Sequence, residues 1–431
     1  MKNTSRKAEK CKSAKRSMKR KHSNVLAAGG TATLAACAEK STRGYTKTSN
    51  NNSSRRRRSA RIELKQRSRQ PTSALHDLLC KLSFVEAGSI AHKRLLNTIM
   101  RHCESRPEDA RFRDFGAGFA LHHAMVFTFP SLDVINAIVS ANPGAAVTQD
   151  DDGYFPLVLR LVGILISFED FSFDCDVGCD TIWSLLTRCI PPPANFVSNS
   201  TGIPLDIVKA EIMQFVGNPL MLHDKANHAT ALHYLVLSKA PFKYIEFAVA
   251  AAPEAIRVAD LSGHTPLHLA CYGNEIREDV VSLFIKTCPD VKSMQDESGC
   301  SPLHIFLDHK TELLPEQQSI VELLMNEKVV SMQNAAGYTP VHLACLTRVI
   351  SLGMVRSLAG ALHPDCYSMT TKKGDTLLHV VCVMDASYEI IQYIHELFPA
   401  ASSMADLDGH VPLDLLDPTH SCFEKIEQLL S

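Results

Sequence analysis

The first 70 residues of the chain have few acidic side chains and few large apolar ones. They contain 21 Lys and Arg residues against 3 Asp and Glu residues, whereas residues 71–431 contain 24 against 43, so the two net charges are +18 and −19. So polar a segment cannot bury enough apolar surface to offset the entropy of ordering. We therefore expect residues 1–71 to form a disordered basic arm. Because Tyr45 is its single aromatic residue, the arm cannot stack on successive bases. Any contact with nucleic acid would therefore be a weak, non-specific contact with phosphates.

The sequence also lacks the marks of membrane, disulfide-stapled and catalytic proteins. Its longest apolar stretch, Phe155 to Phe168, is interrupted by Arg160 and is too short to span a bilayer. The 14 cysteines are scattered, which is typical of buried thiols in a reducing compartment. There is no phosphate-binding Gly-Lys-Ser/Thr loop, nucleophile elbow or kinase motif. We predict no enzymatic activity, no cofactor and no membrane contact.

One phrase recurs through the second half of the chain. It reads SGHTPLHLACYGN at residues 262–274, SGCSPLHIFLDHK at 298–310, AGYTPVHLACLTR at 336–348 and KGDTLLHVVCVMD at 373–385. Measured at its histidine, the phrase returns every 35 to 38 residues, at His233, His268, His304, His342 and His379, with Asp414 at the last equivalent place. Weaker copies occur at His76, His122, Val158 and Asp206. A fixed period of this length indicates a repeat architecture.

Each part of the phrase has a local physical role. Gly263 suits a turn that needs a positive φ, Thr265 can cap a helix, and Pro266 fits the first helical position. A second apolar segment, VVSLFIKTC at 280–288, predicts another helix that Pro289 ends. One helix pair cannot bury its own apolar face, so the pairs must stack on their neighbours.

The phrase HTPLHLAC resembles the Thr-Pro-Leu-His-x-Ala signature of ankyrin repeats. The resemblance implies an all-α solenoid of stacked helix-turn-helix repeats, degenerate over residues 72–221 and clear over 222–431. It departs from the family because the units exceed the usual length of about 33 residues and carry Pro-Glu/Asp-Ala after the second helix. It implies a non-catalytic scaffold that binds an as yet unidentified protein on its concave face.

The positions beside the fixed phrase differ from copy to copy, and we predict that partner specificity resides there. These candidates are Ser262, His264, Tyr272, Glu297, Asp308, His309, Ala335, Tyr338, Thr347, Lys372, Lys373 and Asp375.

The recurring histidines pose a choice between a metal site and a structural role. His268 and Cys271 share a helix face, but one repeat supplies two ligands where structural zinc takes four, and adjacent repeats lie about 8–10 Å apart. We therefore predict no metal site, with each histidine hydrogen-bonded across a turn or to the next repeat.

The basic arm leaves several alternatives open. Clusters of Lys and Arg favour a nuclear localisation signal that an import receptor binds, with Lys19, Arg20, Lys21, Arg55, Arg56, Arg57 and Arg58 as the candidate residues. Alternatively, the arm contacts nucleic-acid phosphates, directs the chain to an organelle as a transit peptide, or is a linker. We predict a nuclear or cytoplasmic location.

Residues 167–200 lengthen one interval of the repeat and contain Trp183, the only tryptophan. This segment is either an aromatic partner-binding loop or a stretched repeat in which Trp183 is part of the core.

Overall fold

The computed structural model describes most of the chain after the arm. The described residues are 73–82, 84–86, 88–113, 118–126, 131–151, 153–160, 219–225, 227–273, 275–308, 317–347 and 351–431. The predicted arm at 1–71, the segment at 167–200 and the candidate residue His309 therefore lie outside them. The described residues belong to two compact units, which we name the N-terminal unit (73–261) and the C-terminal unit (262–431).

The N-terminal unit consists of paired helices. They are α1 (Ala74–Leu82), α2 (Ile90–Ser105), α3 (Ala120–Val126), α4 (Leu132–Ala141), α5 (Ala231–Leu237) and α6 (Phe242–Ala251). Helix α1 packs on its partner α2 and also on α3, the first helix of the next pair, while α2 packs on α4. This pattern is the stacking of successive helix pairs.

The C-terminal unit repeats the same arrangement. Its helices are α7 (Pro266–Ala270), α8 (Glu278–Thr287), α9 (Pro302–Asp308), α10 (Gln318–Leu324), α11 (Glu327–Ser331), α12 (Pro340–Cys345), α13 (Leu352–Gly360), α14 (Leu377–Val383), α15 (Tyr388–Leu397), α16 (Pro412–Leu415) and α17 (Phe423–Leu430). First helices pack on first helices (α7 on α9, α12 on α14) and second helices on second helices (α8 on α10, α15 on α17).

The recurring phrase begins each first helix as its residue types require. Thr265 lies at the N-cap of α7, Pro266 occupies the first turn, and His268 completes a capping box with Thr265. The same box, with threonine and histidine, begins α5, α12 and α14. A capping box satisfies amide groups that a helix N-terminus leaves without an intrahelical partner.

The Pro-Glu/Asp-Ala mark is a single 3₁₀ turn after the second helix. In the C-terminal unit α8 ends at Thr287 and the turn occupies Pro289–Ser293. Cys288 lies between them, with φ −139° and ψ 85°. This is not a helical conformation, because the ring of the following proline disfavours the helical region for the residue before it. In the repeat that lacks this proline, a short helix, α11, stands in place of the 3₁₀ turn. Asn326 is its N-cap, and the Asn326 side chain accepts a hydrogen bond from the Val329 amide at 2.8 Å.

The core is formed by the apolar positions of the phrase. Leu267, Leu303, Val341 and Leu378, which hold the same place in four repeats, are each fully buried. Burying a side chain of this size contributes about 1.5–3 kcal/mol. The predicted fold class is confirmed: the described residues form helix-turn-helix repeats, and among them there is no strand beyond an isolated bridge between His223 and Thr230.

Candidate interaction surface

A hairpin turn precedes each first helix, and one polar side chain holds it in shape. Asp296 donates its amide to the Cys300 carbonyl at 2.9 Å, while its Oδ1 accepts from the amides of Ser298 and Cys300 at 2.9 and 2.8 Å. Asn334 and Asp406 make the same pair of side-chain contacts in their own hairpins. The backbone of the turn is therefore fixed independently of the side chains at its tip.

Successive hairpins of the C-terminal unit are joined by backbone hydrogen bonds. In each bond, a backbone amide of one hairpin donates to a carbonyl of the preceding hairpin. The four pairs are Glu297 to Ser262 (3.0 Å), Ala335 to Ser298 (2.7 Å), Lys372 to Ala336 (3.0 Å) and Leu407 to Lys373 (2.8 Å). Glycine makes this approach possible: Gly337 has φ +83°, and a Cβ there would lie 2.6 Å from the Lys372 amide nitrogen. We call this row of bonds the hairpin ladder.

The histidine of the phrase connects its hairpin to the next one at His268, His304 and His379, whereas the buried Nε2 of His342 has no hydrogen-bond partner among the described residues. His268 accepts from the Thr265 amide through Nδ1 at 3.1 Å and donates from Nε2 to the Cys300 carbonyl at 3.0 Å. His304 and His379 make the equivalent Nε2 contacts with the carbonyls of Tyr338 and His410, each at 3.1 Å. Both ring nitrogens are used in structural contacts, which confirms the predicted hydrogen bonding.

Burial keeps these imidazoles neutral. It lowers the pKa of His304 and His122 to about 4 and that of His342 to about 3. Burial also raises the pKa of Cys345 to about 12, so this thiol keeps the proton that a metal-bound thiolate would lack. In His268, His304 and His379 both ring nitrogens already make hydrogen bonds within the repeats, so these rings have no nitrogen left for a metal ion.

Among the residues that the structure describes, one group of potential metal ligands lies in the last hairpin. Ligand atoms of Asp406, Asp408 and His410 lie within 4.8 Å of one another. Oδ1 of Asp406 is already the acceptor for the amides of Asp408 and His410, so it is occupied in shaping the turn. We assign no metal to this group.

The predicted partner-binding positions differ in how much of them solvent can reach. Tyr272 is 43% exposed, and Glu297, Ala335 and Lys372 are exposed at the hairpin tips. Ser262, Asp308 and Lys373 are half-buried. The structure thus brings Glu297, Ala335 and Lys372 together as one row along the hairpin ladder.

Four predicted positions are buried instead: His264, Tyr338, Thr347 and Asp375. His264 and Asp375 occupy the place before the capping threonine, where the side chain lies between adjacent hairpins. His264 Nε2 is 3.4 Å from Asp296 Oδ2 in the next hairpin, and the Asp375 carboxylate accepts from Thr371 Oγ1 at 2.9 Å. Burial raises the pKa of Asp375. These side chains have structural partners and are not part of the exposed row.

The sequence analysis missed Leu407, which is 79% exposed. It occupies the same place in the last hairpin as Lys372 in the preceding one. Counting one residue past the hairpin aspartate would have identified it, but the last copy of the phrase lacks the histidine and threonine that marked the others.

The family model of the ankyrin repeat matches residues 262–296, one complete repeat that contains the capping box of Thr265 and His268. Residues 262–296 are therefore an ankyrin repeat. The same box, hairpin ladder and histidine contacts recur in the repeats that follow residue 296.

Among solved structures, the chain is similar to the ankyrin repeat domain of Bcl-3, described as a unique member of the IkappaB protein family. The two are 19% identical, with a TM-score of 0.38 over 52% of this chain and 92% of that one. No curated protein matched the chain. Ankyrin repeats are protein-interaction modules, and residues 262–296 form one of them. In the described part, no helix is long and apolar enough to cross a membrane.

Proposed function

We propose that the chain is a non-catalytic scaffold that binds a protein partner on the face formed by the hairpin tips and the first helices. The observation that carries this proposal is the contrast within each hairpin. The backbone is held by the hairpin ladder, while Glu297, Ala335, Lys372 and Leu407 extend into solvent from it.

A row of this kind offers specificity at a small entropic penalty. Because the backbone positions are already ordered, binding needs to order only the side chains at the tips. The row also presents acidic, small, basic and apolar groups in sequence, a pattern that one extended partner surface can match. Tyr272, at the end of α7, adds an exposed aromatic ring of the kind that dominates binding interfaces.

Affinity capture with the full chain as bait tests the proposal. Tyr272→Ala and Lys372→Glu should each abolish or strongly weaken recovery of the partner that the unaltered chain retains. Lys286→Glu is the matched control, because it makes the same charge change at an exposed position of the second helix α8. If Lys286→Glu weakened capture as much as Lys372→Glu, the binding face would not be the hairpin tips.

An alternative is a nuclear, nucleic-acid-associated regulator whose basic arm contacts phosphates. The +18 charge of residues 1–70 favours it. Retention of the full chain on DNA should then fall steeply with salt and vanish when residues 1–70 are deleted. Retention that survives the deletion would exclude the arm as its cause.

For the location of the chain, we infer that the arm directs it to the nucleus through an import receptor. The concentration of charge at Lys19 to Lys21 and Arg55 to Arg58 supports this inference. A cytoplasmic location, or an organelle reached through a cleaved transit peptide, is the alternative.

A further inference from the structure

The last hairpin, formed by residues 406–410, has an edge that nothing in the described part of the chain covers. A Cβ at Gly263, Gly299 or Gly337 would meet the backbone of the next hairpin within 2.9 Å, but a Cβ at Gly409 would meet nothing within 4 Å. In the hairpin ladder the next acceptor after Lys373 is the Asp408 carbonyl, and no described amide donates to it. The surface on which each preceding hairpin packs against the next one is therefore uncovered in the last hairpin.

The uncovered edge extends onto α16. Val411 and Leu413 are half-exposed, whereas Thr376 and Leu378, which hold the same places one repeat earlier, are buried. Leu407 is 79% exposed beside them. We define the C-terminal edge as Leu407, Asp408, Gly409, Val411, Leu413 and Asp414.

The polar groups of the C-terminal edge are acceptors. In three of the preceding repeats a histidine donates from Nε2 to the carbonyl of the next hairpin, but in the last repeat Asp414 stands in that place. Asp414 uses Oδ2 to accept from the Val411 amide at 3.3 Å, and a carboxylate has further lone pairs to offer. With the Asp408 carbonyl and carboxylate beside it, the edge presents oxygen atoms where a stacked repeat would require a donor.

This chemistry disfavours a second copy of the same edge as the occupant. Residues 406–431 contain six acidic residues and one lysine, so two such edges would repel each other. A further hairpin would also bring a backbone carbonyl against the Asp414 carboxylate. The occupant must instead supply positive charge and several N–H donors, together with some apolar surface for Val411 and Leu413.

The chain contains a segment with these properties. Residues 55–69 read RRRRSARIELKQRSR, with seven arginines, one lysine, one glutamate, and the apolar residues Ile62 and Leu64. An arginine can donate two parallel hydrogen bonds to one carboxylate, which a carbonyl or an ammonium group cannot match. Attraction between the −19 body and the +18 arm is screened beyond about 8 Å at physiological salt, so it can retain the arm only through direct contacts of this kind.

We propose that the C-terminal edge is a docking site for the arginine-rich segment 55–69 of this chain. Arginines of the segment pair with the carboxylates of Asp408 and Asp414, backbone amides donate to the Asp408 carbonyl, and Ile62 or Leu64 covers Val411 and Leu413. The docked segment takes the place that the next hairpin occupies in the preceding repeats.

A fluorescein-labelled peptide of residues 55–69 tests the proposal, titrated with the full chain in which Arg55 to Arg58 are alanine so that its own arm does not compete. Asp408→Asn and Asp414→Asn should each weaken binding about tenfold, the loss of one charge-assisted contact. Asp365→Asn is the control, because its side chain is 91% exposed in the preceding repeat and loses the same charge. It should change the affinity less than about twofold.

Hydrogen exchange of the unaltered full chain gives a second measurement. Amides of residues 55–69 should exchange more slowly than in the Asp408→Asn/Asp414→Asn double variant, with unchanged melting temperatures. Equal weakening by all three single substitutions would show non-specific attraction and overturn the proposal. So would a dimer of the arm-substituted chain that Asp414→Asn dissociates, because it would identify a second copy as the occupant.

Discussion

His268 donates from Nε2 to the carbonyl of Cys300, 32 residues further along the chain and one hairpin away, at a distance of 3.0 Å. The same ring accepts from the Thr265 amide at 3.1 Å through Nδ1. One neutral side chain thus begins its own helix and holds the next repeat, which explains why histidine returns with the period of the fold.

Substituting His268 by alanine should lower the free energy of unfolding by about 1–3 kcal/mol, because the buried Thr265 amide loses its acceptor and the Cys300 carbonyl keeps only the Asp296 amide as a donor. Urea unfolding followed by circular dichroism measures the change. His363→Ala, at a side chain that is 57% exposed, is the control and should have little effect. Stoichiometric zinc in the purified protein that disappears with His268→Ala would overturn the structural role.

Two hairpin glycines allow the backbone penalty of a side chain to be measured apart from its clash with the next hairpin. Gly337 and Gly409 have nearly the same positive φ, +83° and +79°, but only Gly337 lies against the next hairpin. Alanine at either position incurs the left-handed backbone penalty of about 1 kcal/mol. Gly337→Ala should lower the melting temperature clearly more than Gly409→Ala, because its Cβ must also displace the Lys372 amide 2.6 Å away. Equal decreases would mean that the hairpins separate without resistance.

Acid should destabilise the protein through its neutral histidines. Burial lowers the pKa of His304 from 6.5 to about 4 and that of His342 from 6.5 to about 3. Below pH 6.5 the unfolded chain binds protons that the folded chain does not, so stability is complete above pH 6.5 and falls as the pH decreases towards 4. Each such histidine contributes a slope of about 1.4 kcal/mol per pH unit in that window.

Unfolding midpoints measured between pH 7.5 and 4.5 test this expectation. His304→Gln removes one titrating group, so proton uptake on unfolding should fall by about one in the same window. His363→Gln, at a side chain that is 57% exposed, controls for the exchange of histidine for glutamine itself. A pH profile of His304→Gln that parallels that of the unaltered chain would show that His304 is not buried neutral.

The recurring phrase was sufficient to predict the helix starts, because each residue in it acts locally. Gly263, Thr265 and Pro266 set the turn, the cap and the first helical position by their own chemistry, and the structure confirms all three. The candidate surface was harder to predict. Variation at the place of His264 resembles that of a surface residue, yet His264 is buried, and its Nε2 lies 3.4 Å from Asp296 Oδ2 in the next hairpin. That packing depends on a segment more than 30 residues away, which local patterns do not contain.

The periodic sequence should fold without the arm. Residues 72–431 contain every described helix and the contacts that stack them. A fragment of these residues should therefore show helical circular dichroism and a cooperative thermal transition. If the fragment were unfolded while the full chain folded, the predicted boundary near residue 71 would be wrong. The division at residues 221 and 222, based on how clear the repeats are, also stays a prediction.

Removing the two basic clusters should move the chain out of the nucleus. Alanine at Lys19 to Lys21 and Arg55 to Arg58 removes seven positive charges from the +18 arm, and an import receptor that binds such clusters through acidic grooves would lose its contacts. A fluorescent fusion of this variant should be cytoplasmic, with the melting temperature of the repeats nearly unchanged. The control is a fusion in which Lys286 on α8 and Lys328 on α11, both exposed, are alanine, and it should stay nuclear. An unaltered fusion that is already outside the nucleus, or that enters an organelle with its N-terminus cleaved, would replace the nuclear interpretation with that of a transit peptide.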